Sequence, residues 1–132
     1  MLDTRPLAKD RERRVGIFGV GEGGRKVLNA VVMLDCRLEW LSDNNPRTHG
    51  RTRGGIEVIA PSRIPASPVD AIVIGSVHRD AIRADLIAMG VDPTRVFAPN
   101  VSQSDEDLVD ELRRLFDQQD NQITRGGLKT AS

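Results

Sequence analysis

Apolar and polar positions fall into short blocks whose period switches between that of a strand and that of a helix. Arg14-Val15-Gly16-Ile17-Phe18-Gly19-Val20 is an apolar run bounded by glycine, the pattern of a strand buried on both faces. From Arg25 to Asp35, Val27, Leu28, Val31 and Val32 recur at helical spacing and predict a helix with one apolar face. Leu38 to Ser42 reads as a second strand, stopped by the turn-forming cluster Asp43-Asn44-Asn45-Pro46. Arg47 to Gly55 is polar and glycine-bearing and reads as a loop; Ile56 to Ile59 is a short third strand. Pro61, Pro65 and Pro68 punctuate the next connection and leave room for at most one helical turn. Val69 to Ile74 is a fourth strand. A helix follows from Arg79 to Met89, with Ile82, Leu86 and Met89 on one stripe and Gly90 as its stop. Arg95 to Ala98 is a fifth strand, and Ser104 opens a last helix whose period runs through Leu108, Val109, Leu112, Leu115 and Phe116. The polar flanks are expected to be a flexible arm (1–13) and a disordered tail (119–132) around one domain, 14–118.

Strands alternating with helices place the chain in the α/β class with a parallel sheet. The expected architecture is a Rossmann-like three-layer sandwich with a five-stranded parallel sheet in the order 3-2-1-4-5.

The turn after the first strand carries the chemistry. Gly19-Val20-Gly21-Glu22-Gly23-Gly24 satisfies G-x-G-x-x-G through Gly19, Gly21 and Gly24. In such a turn the first glycine permits the sharp strand-to-helix reversal. The second lets backbone N–H groups approach a pyrophosphate, and the third lets the helix pack closely on the sheet. The helix N-terminus adds unpaired donors and the positive end of a dipole. Asp43 lies nineteen positions after Gly24, at the end of the second strand, where an acid that holds ribose hydroxyls belongs. Arg25 is a candidate phosphate contact, and Glu22 is expected to point away from phosphate or to cap the turn. Asn44 neighbours the acid. Ser76, Val77 and His78, at the tip of the fourth strand, lie at the switch point of the sheet, with capping of the next helix as their ordinary alternative. Arg47, His49, Arg51 and Arg53 form a local basic loop that reads as a solvated face or as a receiver for a ribose 2′-phosphate, against which Asp43 argues by repulsion.

Composition narrows the function. Lys and Arg number 19 against 19 for Asp and Glu, so the chain as a whole exerts no pull toward nucleic acid or anionic membrane. No apolar stretch is long enough to span a bilayer, the charged N-terminus is no secretory signal, and the cytoplasm is the expected location. Cys36, the one cysteine, reads as a small buried hydrophobe, and no His/Cys cluster has metal-ligand spacing. Tyrosine is absent, which excludes the Tyr-x-x-x-Lys pair of short-chain dehydrogenases. A dinucleotide enzyme also needs a second mononucleotide half and a substrate domain. Binding is supported and catalysis is not.

The stretch Gly19 to Arg25 resembles the Gly-Ala-Gly-Glu-Ala-Gly-Arg turn of the Rossmann-like domain in bacterial polysaccharide-biosynthesis nucleotide-sugar dehydratases and epimerases. A similar domain precedes the catalytic part of some sugar acetyltransferases. Leu41-Ser42-Asp43-Asn44-Asn45-Pro46, His49-Gly50, Gly55-Ile56-Glu57-Val58 and Gly90-Val91-Asp92-Pro93 continue the likeness, which covers about Arg14 to Pro99. Asn44 stands where that family has a second Asp, and Gly23 replaces an alanine, a change that leaves backbone approach unharmed. The resemblance implies a domain that binds NAD or a nucleotide-sugar; a separate catalytic chain or a second copy in a homodimer is the expected partner. Two alternatives stand beside it: a minimal NAD-dependent nucleotide-sugar dehydrogenase that acts as an oligomer, and a protein-interaction domain without a ligand.

Overall fold

Val15 and Ile17 point to one face of the central sheet and Phe18 to the other, so the first strand is sealed on both sides, as its unbroken apolar run requires. The computed structural model describes residues 12–131, with side chains described for residues 12–122. Its elements are β1 (Arg14–Phe18), α1 (Glu22–Met33), β2 (Arg37–Ser42), β3 (Thr52–Arg53), β4 (Ile56–Ile59), β5 (Ala71–Ile74), α2 (Arg79–Ala88), β6 (Val96–Phe97) and α3 (Asp105–Ala131). They form three layers. Val27 and Val31 of α1 and Leu108, Leu112 and Phe116 of α3 cover one sheet face. Ile82 and Leu86 of α2 cover the other, with Ile64 from a 3-10 helix at Pro61–Ala66. That helix has six residues, more than the single turn expected of the proline-rich connection.

The sheet has six strands in the order β3-β4-β2-β1-β5-β6, so both count and order differ from the expected five-stranded 3-2-1-4-5 arrangement. The difference is β3, which pairs antiparallel with β4 at the edge, in a segment expected to be loop. Gly54 (φ 59°) and Gly55 (φ 83°) are both left-handed, the backbone of a two-residue hairpin turn. Gly-Gly provides it without a Cβ penalty, and Gly50 and Arg51 extend the ladder to Val58 at 2.8 Å each. The crossover from β2 to β4 therefore runs through a 3-10 turn (Pro46–Thr48) and this hairpin.

One glycine position shows what the sheet demands of its neighbours. A Cβ on Gly16 would collide with the ring of Trp40, its register partner on β2. The indole is 5% exposed and its N–H donates to the Ser67 carbonyl at 2.9 Å.

The two ends of the described chain meet beside β1. α3 continues to Ala131 through the stretch expected to be disordered. Gln119 is buried, donates to the Asp70 carbonyl at 2.8 Å and accepts from Arg13 Nε at 3.1 Å. The Arg13 guanidinium also pairs with Asp120 at 2.6 Å and lies 4.3 Å over the Phe116 ring. Residues assigned to the arm and the tail thus clamp the start of β1 to α3. The remainder of the expected arm, residues 1–11, and Ser132 lie outside the described residues. Ser104 caps α3 as its sequence implies, its hydroxyl accepting the Asp107 N–H at 3.1 Å.

Candidate nucleotide site

The turn from β1 to α1 is built from close backbone approaches that only glycine permits. Gly19 has φ 119°, and a Cβ on it would lie 2.7 Å from the Gly75 carbonyl oxygen. A Cβ on Gly24 would collide with the Gly19 carbonyl, so the third glycine of the motif lets α1 pack against the turn that begins it. Gly23 is equally constrained, since its Cβ would stand 2.6 Å from the Gly75 oxygen. The cause is Gly75, which brings the end of β5 against α1. Gly75 itself has no room for a side chain, with the Gly24 Cα 2.7 Å from its Cβ position.

Gly21 is different. Its φ is −85°, open to any residue, and a Cβ there would meet nothing within 4 Å. Packing does not explain this glycine; its Cβ direction is open space at the mouth of a cleft. Gly21 is also the N-cap of α1, with Arg25 N donating to its carbonyl at 3.0 Å. The helix consequently starts at Glu22, one turn earlier than its apolar period indicates, and no side chain caps it. Its first-turn N–H groups and positive dipole end are available to an anion.

The cleft has a volume of about 330 Å3 and is lined by Gly19, Val20, Gly21, Glu22, Gly24, Arg25, Leu28, Leu41 and Arg53. Leu28 and Leu41 are apolar members of its lining, and Arg25 and Arg53 are cationic ones. Arg25 is hydrogen-bonded to Glu22 at 2.6 Å, and this contact holds the guanidinium pKa above its ordinary value. Both side chains are exposed, so the pair neutralises Glu22 at the rim without tying Arg25 in place.

Asp43 occupies the end of β2, but its carboxylate is turned to the protein. Oδ2 accepts the Val20 N–H at 3.0 Å and Oδ1 accepts the Asn45 N–H at 2.8 Å, so the acid holds the shape of the glycine turn. His49 Nε2 contacts the Asp43 carbonyl at 2.7 Å and closes the loop beneath it. Asn44 is exposed beside them. Ser76, Val77 and His78 follow β5 and do not line the cleft. The Ser76 hydroxyl accepts the His78 N–H at 3.0 Å, a local turn leading into α2, and Val77 is 72% exposed. The structure thus brings the glycine turn and Arg25 together with Leu28 and Leu41, which sequence reasoning did not assign to the site, and with Arg53 of the basic loop. Gly54-Gly55 between two extended pairs is a hairpin signal that places Arg53 on an edge strand.

Cys36 is half-buried on the α1 face, and burial pushes its thiol up to about 11, which leaves it unreactive at neutral pH. Among the described residues, no group of three or more His, Cys, Asp or Glu side chains can hold a metal, and no helix is long and apolar enough to cross a membrane.

A mostly parallel sheet with helices on both faces and a glycine turn at the centre of its carboxyl edge defines a Rossmann-like α/β domain. Within that class, the chain belongs to the C2185-like N-terminal domain family, whose pattern matches residues 11–97. No curated protein matches it in sequence. Among solved structures it is similar to UDP-D-quinovosamine 4-dehydrogenase from Vibrio fischeri, with a TM-score of 0.51 and 19% identity over 67% of this chain and 79% of the other. It is also similar to RSP, a Rex-family repressor, with a TM-score of 0.56 and 20% identity over 83% of this chain and 61% of the repressor. RSP in complex with β-NAD+ and operator DNA gives a TM-score of 0.53 and 20% identity over 92% of this chain and 63% of that one. The chain therefore spans less than two-thirds of the repressor chains it matches. At these identities the likeness is one of fold.

Proposed function

We propose that this chain is a nucleotide-binding module that takes the diphosphate of NAD or of a nucleotide-sugar on the glycine turn. The observation that carries the reading is Gly21. Gly19, Gly23 and Gly24 are required by packing, whereas the open space at Gly21 is explained by a ligand that approaches the backbone there. The first turn of α1 supplies N–H donors and a favourable dipole, Arg25 an exposed cation, and Leu28 and Leu41 an apolar lining. Asp43 holds the turn from beneath and keeps lone pairs for a ribose hydroxyl. Ser76, Val77 and His78, across the switch point from the cleft, are the next surface such a ligand would reach. The fold likeness to an NAD-bound repressor and to a UDP-sugar dehydrogenase is consistent with this ligand class. The reading assigns binding to this chain and leaves the chemistry to a separate catalytic chain.

The test is a thermal-shift panel of NAD, UDP, UDP-sugars, ATP and coenzyme A on the wild type and Asp43→Ala. A ligand at about 100 times its Kd stabilises the folded state by roughly 2.7 kcal/mol, enough to see in a domain of this size. A shift with one nucleotide class, reduced in Asp43→Ala, is the expected result. No shift with any of them makes the glycine turn purely architectural.

A further inference from the structure

A second hollow, of about 270 Å3, opens at the opposite edge of the sheet from the glycine turn. Ile64, Pro65, Pro68 and Val69 belong to the segment leading into β5, and Val91 to the segment leading into β6, so the hollow lies at the amino ends of these parallel strands. With Ile72 of β5 they make its lining mainly apolar. Its volume is just under the roughly 300 Å3 at which pockets for drug-sized ligands begin, which limits an occupant to a small molecule. Two charged side chains, Asp92 and Arg95, share the lining, and their charges cancel. Arg95 Nη1 donates to the Val69 carbonyl at 3.0 Å, which fixes the guanidinium at the wall with further N–H donors to spare. Asp92 Oδ1 accepts the Thr94 N–H at 2.9 Å and the Thr94 hydroxyl at 2.8 Å; these bonds hold the carboxyl below its ordinary pKa and leave it charged at neutral pH. Among the described residues, Asp92 Oδ2 accepts no hydrogen bond and the two side chains form no ion pair with each other.

We propose that this hollow binds a free α-amino acid with an apolar side chain, its carboxylate on Arg95, its ammonium on Asp92 Oδ2 and its side chain among Ile64, Pro68 and Val69. A guanidinium matches a carboxylate with paired N–H donors. A net anion is attracted by Arg95 and repelled by Asp92, and a net cation the reverse, whereas a zwitterion is attracted by both. Asp92 and Arg95 also border a polar hollow of about 240 Å3 with Thr94 and Gln119, which offers no wholly apolar side chain to hold such a molecule. None of these residues lines the nucleotide cleft, so the two sites stand or fall separately.

Titration of the full chain, followed by calorimetry and by the emission of Trp40, tests this. Trp40 reports on the hollow because its indole N–H donates to the carbonyl of Ser67, which borders it. Leucine is compared with isocaproate, which lacks the ammonium, with isoamylamine, which lacks the carboxylate, and with glycine, which lacks the apolar group. Leucine is expected to change the emission and to bind roughly ten- to a hundredfold more tightly than each analogue. In Arg95→Gln it should lose its advantage over the amine, and in Asp92→Asn its advantage over the acid. The analogue series is read on the wild type and does not depend on how either variant folds. An acid or amine that binds the wild type as tightly as leucine overturns the proposal, as does a preference for leucine that survives both variants. No binding of leucine, valine, isoleucine or phenylalanine overturns it as well, whatever else then fills the hollow.

Discussion

Alanine at Gly21 and at Gly23 is the same chemical change two residues apart, yet the structure requires opposite outcomes. At Gly21 the backbone is already in a region open to alanine, and the added methyl meets nothing within 4 Å. Restricting the unfolded chain stabilises by about 0.4–1 kcal/mol. Alanine is the poorer N-cap by a comparable amount, so the net change should be within about 0.5 kcal/mol. At Gly23 the new Cβ would stand 2.6 Å from the Gly75 oxygen and 3.0 Å from the Gly75 carbonyl carbon. Both neighbours are backbone. To restore an ordinary contact of 3.4 Å, α1 and the end of β5 must part by about 0.8 Å, which strains a packed layer. Overpacking of this kind costs about 1–3 kcal/mol. For a domain of this length that is a fall in Tm of roughly 3–15 °C. The assay is thermal unfolding followed by the fluorescence of Trp40, the single tryptophan, which is buried against the same sheet. Gly21→Ala should melt with the wild type and bind nucleotide at least tenfold more weakly. The reasoning is refuted if Gly21→Ala melts as low as Gly23→Ala, or if Gly23→Ala melts with the wild type. A well-folded Gly21→Ala that binds nucleotide like the wild type would remove the observation on which the proposed function rests.

Three further outcomes are expected. Gln119→Leu deletes the donor to the Asp70 carbonyl and the acceptor of Arg13, and should lower stability to urea by about 1–3 kcal/mol; an unchanged midpoint would mean that the α3 clamp contributes nothing. Gly16→Ala drives a methyl into the Trp40 ring and should lower Tm and alter the emission of the folded protein, whereas an unaltered spectrum would contradict the contact. Cys36 gives a pH dependence. Its folded pKa of about 11 exceeds the ordinary 9.0, so the unfolded chain loses its proton first, and this contribution to stability, complete below pH 9, is lost as pH rises from about 9 to about 11. Cys36→Ala should flatten that part of the curve of unfolding free energy against pH; an identical slope in both proteins would dispose of the linkage.

Much of the architecture is legible in local pattern because it rests on local causes. The all-apolar block around Val15 and Ile17 cannot be covered by one face alone, so it must lie inside a layered sheet. Ser104 and Gly90 mark helix limits through chemistry confined to a few residues. The edge strand β3 was missed because its two residues are polar and exposed on both sides, and only the Gly54-Gly55 backbone announces it. The true length of α3 was missed for a related reason. Its later turns are polar, and Gln119 is buried by reaching Asp70 and Arg13, partners 49 and 106 residues away in the chain.

The candidate site divides along the same line. Sequence by itself determined that a glycine-rich reversal joins a buried strand to a helix and that an acid ends the next strand, because turn geometry and strand length are properties of neighbouring residues. Only the tertiary structure decided what each glycine is for. Gly23 and Gly75 constrain one another across two elements, while Gly21 is left free at the mouth of a cleft. It also decided that the Asp43 carboxylate supports the turn and that Arg53 reaches the cleft from the edge hairpin. Such roles depend on which backbone lies within a few ångströms, and that is set by how the layers pack.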